Sequence, residues 1–139
     1  MIVLLLLAFA GCVLGAVGVF QPWLLESGDV VQAGISTIDG IIALVVSIVA
    51  AGWIVYTIIA RQTRYWYVTA VAGFALSLIG YTTFSDLRTF VTALSETDGY
   101  VWSVGLGPYF TAGGGVITLV CGGLVGWIHN VRRRATPHS

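Results

Sequence analysis

Four stretches of this 139-residue chain are continuously apolar over a length that only a lipid bilayer accommodates: about residues 2–20, 40–60, 66–84 and 109–129. A hydrocarbon core of about 30 Å takes roughly 20 helical residues to cross. No Asp, Glu or Arg lies inside any of the four except at a border; the charges sit in the connections and at the C-terminal end. Backbone amides in lipid must be satisfied within the segment, so such runs are helices. A barrel would instead alternate apolar and polar residues along each strand. The expected fold is therefore all-α, a single bundle of four transmembrane helices with a short tail over 130–139. Only 9% of residues are charged, against about 25% in soluble domains, which excludes an ordinary soluble globule. Six arginines balance six acids and there is no lysine, so no net charge recruits nucleic acid.

The arginines set an expected orientation. Arg61 and Arg64 lie between the second and third runs, and Arg132, Arg133 and Arg134 follow the fourth. The excess of basic residues in cytoplasmic connections puts both places, and hence both termini, inside a cell membrane. The acids Glu26, Asp29, Asp39, Asp86, Glu96 and Asp98 then fall outside or at the outer ends of spans, with Arg88 as the one exception to the sorting. Tyr65, Trp66, Tyr67 and Trp127 mark the inner interface, and Phe20, Trp23, Phe84, Trp102 and Tyr109 the outer one. The first run lacks the basic segment of a cleaved signal. Phe9-Ala10-Gly11-Cys12 also fits a lipoprotein cleavage box poorly, so the first span is expected to be retained.

The outer connections hold most of the polar residues. Pro22 ends the first helix, and the β-prone runs on either side of Ser27-Gly28-Asp29 make a hairpin candidate. Thr37 or Asp39 is suited to cap the second span. Leu87, Phe90, Val91 and Leu94 recur at helical spacing. They carry the third helix out of the membrane to about residue 94, a helix of about 28 residues and 42 Å. Pro108 suits the first turn of the fourth.

Small residues recur four apart: Gly11 and Gly15, Ser47 and Ala51, Gly73 and Ser77, Gly122 and Gly126. This spacing lets helix backbones approach in lipid, either inside the bundle or between copies of the chain. Gly113-Gly114-Gly115 lacks the Lys-Ser/Thr and the preceding strand of a phosphate loop and is expected to pack against the outer loops. Asp39 and Asp86 have two readings. As a pair they collect cations at a pore mouth; separately, Asp39 supports a helix end and Asp86 or a loop acid pairs with Arg88, the centre of a salt bridge tying the outer loops. Cys12 and Cys121 lie in different spans at different depths and read as packing residues. His129 and His138 have no carboxylate near them in sequence and suggest no metal site. No nucleophile, base or paired intramembrane carboxylate assembles a catalytic set, so neither enzyme activity nor a cofactor is expected.

Pro22-Trp23, Asp39-Gly40, and Gly105-Leu106-Gly107-Pro108-Tyr109 followed by Gly114-Gly115 together resemble small four-span membrane proteins of actinobacteria and haloarchaea. That resemblance implies the fold over nearly the whole chain and no particular activity. The layout is also similar to claudin-like tetraspans, without their Gly-Leu-Trp and loop cysteine pair. The resulting expectation is a non-enzymatic structural or accessory membrane protein. Its partners would be the lipid bilayer and either its own copies or another membrane protein. A homo-oligomeric channel or small transporter is the alternative.

Overall fold

The computed structural model describes residues 1–62, 64–97 and 99–135. The Asp98 and His138 placements and the end of the tail lie outside the described residues. The chain runs α1 (Ile2–Phe20), β1 (Pro22–Glu26), β2 (Asp29–Ala33), a 3-10 turn (Gly34–Ser36), α2 (Ile38–Ala60), α3 (Trp66–Thr97), β3 (Trp102–Val104) and α4 (Gly107–Ala135). All four α-helices are long and apolar enough to cross a membrane. The protein is a multi-pass membrane protein built as a four-helix bundle, capped at one end by a three-stranded sheet. Its described termini share the opposite end, where five of the six arginines gather.

Local chemistry explains the boundaries. Thr37 caps α2, its hydroxyl accepting from Gly40 N at 2.9 Å, and Asp39 occupies the first turn, where the helix dipole favours a carboxylate. Of the two cap candidates, Thr37 therefore takes the role. Arg61 ends α2 in the left-handed conformation, φ 52°. The 32 residues of α3 make a helix of about 48 Å, so it stands well clear of a 30 Å core at the sheet end. At the other end α4 continues to Ala135 with Arg132, Arg133 and Arg134 in its last turn. Residues 130–135 of the expected tail are thus helical, and their positive charge opposes the negative end of the dipole.

Within the bundle α4 is the central partner. It packs most extensively against α3 and α1, while α2 touches α1 and α3 more sparingly. Accordingly 44% of the apolar window of α4 is buried, against 28% in α2. Glycine makes the close approaches. A Cβ on Gly11 would stand 2.7 Å from Gly114 O and 2.5 Å from Thr118 Oγ1, and one on Gly18 2.8 Å from Thr111 N. On the other side of α4, a Cβ on Gly73 would meet Leu119 backbone, and one on Gly115 would stand 2.7 Å from Ser77 Oγ. One face of α4 thus serves α1 and the next serves α3. Gly114 and Gly115 belong to these helix contacts, not to packing against the outer loops, and nothing lies within 4 Å of where a Gly113 Cβ would point.

Buried hydroxyls tie the same seams. Thr118 Oγ1 lies 2.9 Å from Gly114 O in its own helix and 3.1 Å from Ala8 O in α1, so its proton is shared between helices. Thr111 Oγ1 is placed likewise between Gly107 O at 3.1 Å and Gly15 O at 3.5 Å. Hydrocarbon side chains fill what remains. Leu5, Ala8, Cys12, Ala50, Ile54, Cys121 and Val125 form the larger core cluster, and Val19, Ala43 and Leu76 a smaller one toward the sheet.

Candidate functional site

The sheet is where the polar chemistry concentrates, and its construction begins with a two-residue turn. Ser27 and Gly28 both have positive φ, 49° and 93°, the twist that suits a tight antiparallel hairpin. Glu26 and Asp29 are paired across it, so the hairpin candidate is realised. A third strand, Trp102–Val104, pairs with β1 on its other side, giving the order β2-β1-β3. Three residues carry too short an alternation to register as a strand in the sequence.

β1 is irregular at Trp23. The register steps from Pro22↔Ala33 to Leu24↔Gln32, which leaves Trp23 as an extra residue on its strand. A bulge of this kind re-aims a side chain. It accounts for Trp23 and Leu24 both being buried although they are adjacent in a strand. Trp23 is 1% exposed, and its indole Nε1 donates to Gly18 O at 2.9 Å. A Cβ on either Gly34 or Gly107 would run into the indole ring. The backbone is held as well, Gly105 N donating to Trp23 O at 3.0 Å. The outer-interface position expected for Trp23 is therefore corrected: it is a plug set between the end of α1, the 3-10 turn and the start of α4. Only glycine at 34 and 107 leaves it room.

Beside this plug lies a surface depression of about 350 Å³ lined in part by Trp23, Thr37, Asp39, Thr83, Asp86 and Phe90. Thr83 Oγ1 donates to Asp39 Oδ2 at 3.4 Å, a long bond linking α3 to the first turn of α2. Three of the residues singled out from sequence, Trp23, Asp39 and Asp86, thus meet at one place. Asp39 and Asp86 are both exposed. Among the described residues no three His, Cys, Asp or Glu side chains gather to hold a metal, so the depression offers a ligand two solvated carboxylates beside an apolar wall.

Arg88 lies elsewhere, exposed on the outer part of α3 along a separate groove with Thr92 and Glu96. Among the described residues no ion pair joins it to an acid, so the tie between the outer loops is made by the strands and Trp23. Gly11 and Gly15 face α4, Gly15 also meeting Ser47 and Leu76, while Gly122 and Gly126 face Ala70 and Trp66 of α3. All four are used inside one chain. Sequence reading missed Gly34 and Gly107 as the walls around the Trp23 ring and Gly18 as its hydrogen-bond acceptor.

At the arginine end three of the rings expected at that interface meet edge to face, Tyr65 and Tyr67 at 6.1 Å between centroids and Trp66 and Tyr67 at 6.5 Å. Trp53, which was not among them, joins at 6.1 Å from Tyr65, and Arg64 lies over Tyr65 at 5.7 Å.

Compared with family models, curated proteins and solved structures, the chain matches none.

Proposed function

We propose that this chain is a non-enzymatic accessory membrane protein that presents its sheet to a partner protein outside the bilayer. Its arginine end, with both termini, would face the cytoplasm of a cell membrane, in keeping with basic residues gathering on that side. The resemblance to small four-span membrane proteins accords with this reading.

The observation that carries it is exposed apolar surface on the sheet that caps one end of the bundle. Val30 is 59% exposed and Val101 72%, beside Val31 and Tyr100. The register places them around the hairpin tip, where Ser27 N donates to Val101 O at 2.7 Å. Beyond the membrane, a cluster of apolar side chains on a stiff element marks a protein contact. β2 also has a free edge, able to take an added strand.

The test is gentle solubilisation from the native membrane with the mass of the particle measured, together with Val30→Asp and Val101→Asp variants. A foreign protein in fixed ratio, lost from both variants while the chain stays folded, supports the reading. A particle of this chain alone, unchanged by either variant, overturns it.

A homo-oligomeric channel is the second reading, favoured by the Asp39 and Asp86 carboxylates sharing one depression. It requires cation flux in liposomes that falls in the Asp39→Asn, Asp86→Asn double variant.

A further inference from the structure

At the end of the bundle opposite the sheet, a cleft of about 580 Å³ opens between the start of α1, the end of α2 and the end of α4. Its walls divide by chemistry. Ile2, Leu5 and Ile58 supply apolar surface, and Arg61 and Arg132 bring two guanidinium groups. The backbone turns sharply at Arg61, the left-handed cap of α2, while Arg132 rides on the last turn of α4. The Thr57 hydroxyl at the cleft is already committed, donating to Trp53 O at 2.9 Å.

Among the described residues that line the cleft there is no counter-charge. Residues 1–25, 40–85 and 99–139 contain no Asp or Glu, and these are the segments that build this end of the molecule. Two guanidiniums sharing a cleft repel each other unless an anion lies between them. The apolar wall imposes a second condition, because a small inorganic anion would leave Ile2, Leu5 and Ile58 uncovered. Ile2 and Val3 are 64% and 67% exposed, apolar surface of the kind that acyl chains cover around a spanning bundle. Basic pockets between transmembrane helices suit anionic headgroups for these reasons.

We propose that this cleft binds one anionic phospholipid. Its phosphate is held by Arg61 and Arg132, and one acyl chain lies along Ile2, Leu5 and Ile58. The assignment rests on the chain spanning a membrane and is independent of any partner at the sheet.

The experiment is native mass spectrometry of the full chain in detergent, titrated with phosphatidylglycerol and with phosphatidylcholine of the same chain length. One phosphatidylglycerol is expected to be retained in preference. The Arg61→Gln, Arg132→Gln variant is expected to lose at least about tenfold more affinity for it than Arg64→Gln, Arg134→Gln. The second variant removes the same charge from the same end but not from the cleft. Equal losses in the two variants, or equal retention of the two lipids, overturn the proposal. So does displacement of the lipid by millimolar inorganic phosphate, which would make the site one for a free anion. Ile58→Trp keeps both arginines and fills the apolar wall; it is expected to weaken lipid binding as well, and unchanged binding refutes the acyl-chain assignment.

Discussion

Replacing Trp23 by alanine removes the side chain around which α1, the 3-10 turn, β1 and the start of α4 are arranged. At 1% exposure essentially the whole indole is lost from the interior. A buried Trp removes about 150–250 Å² from solvent, and at about 25 cal/mol per Å² this sets an upper bound of about 4–6 kcal/mol. Large-to-small substitutions of buried aromatics cost about 3–5 kcal/mol, so about 4 kcal/mol is expected. Trp23→Phe keeps most of the ring but gives up the bond to Gly18 O. That carbonyl retains Gln21 N at 3.3 Å, so the expected loss is smaller, about 2 kcal/mol. The sharper test is Gly34→Ala. The three atoms nearest its new Cβ all belong to the Trp23 ring, so the substitution costs about 1–3 kcal/mol by overpacking in the native chain and close to nothing beside Trp23→Ala. Unfolding in mixed micelles gives the four corners of this cycle. Amide exchange in β1 and β3 shows whether the loss is local to the sheet. A Gly34→Ala penalty of the same size in both backgrounds refutes the plug.

Other substitutions separate helix seams from lipid-facing surface. Gly73→Ala is expected to destabilise by about 1–3 kcal/mol, because its Cβ would meet Leu119 backbone, which cannot step aside. Gly52→Ala and Gly123→Ala, with nothing within 4 Å of the new methyl, are expected to be neutral or stabilising by up to about 1 kcal/mol. A melting series in one detergent checks both, and equal losses at all three would contradict the seam assignment. Ser47 is 1% exposed, and its Oγ has no hydrogen-bond partner. Ser47→Ala therefore removes an unsatisfied buried hydroxyl and is expected to stabilise by about 1 kcal/mol; a clear drop in melting temperature would show that the hydroxyl is bonded.

Much of the fold could be read along the chain because the bilayer imposes one-dimensional rules. A run such as residues 40–60 has to be a helix wherever it packs, and Pro22, Thr37 and Pro108 mark ends through their own backbone chemistry. The two-residue turn at Ser27-Gly28 is likewise a local matter. The candidate site was legible only in part. Asp39 and Asp86 stand out because charge is scarce, but their sharing of a depression depends on how α2 and α3 lie together. Arg88 attracts a salt-bridge reading by being alone among acids, yet it lies along another groove of α3.

Hydropathy, proline and charge act within a few residues of themselves, so four helices, their order, and which end gathers the arginines follow from the chain read linearly. That Trp23 turns inward and that residues 102–104 become a third strand emerges only once the helices have packed. So does the need for Gly34 and Gly107 to stay small for the sake of a residue far from Gly107 in the chain. Each of these depends on two surfaces meeting. A bulge re-aims an indole only where a slot exists to receive it, and a slot made of glycines from three different elements has no signature in any one of them.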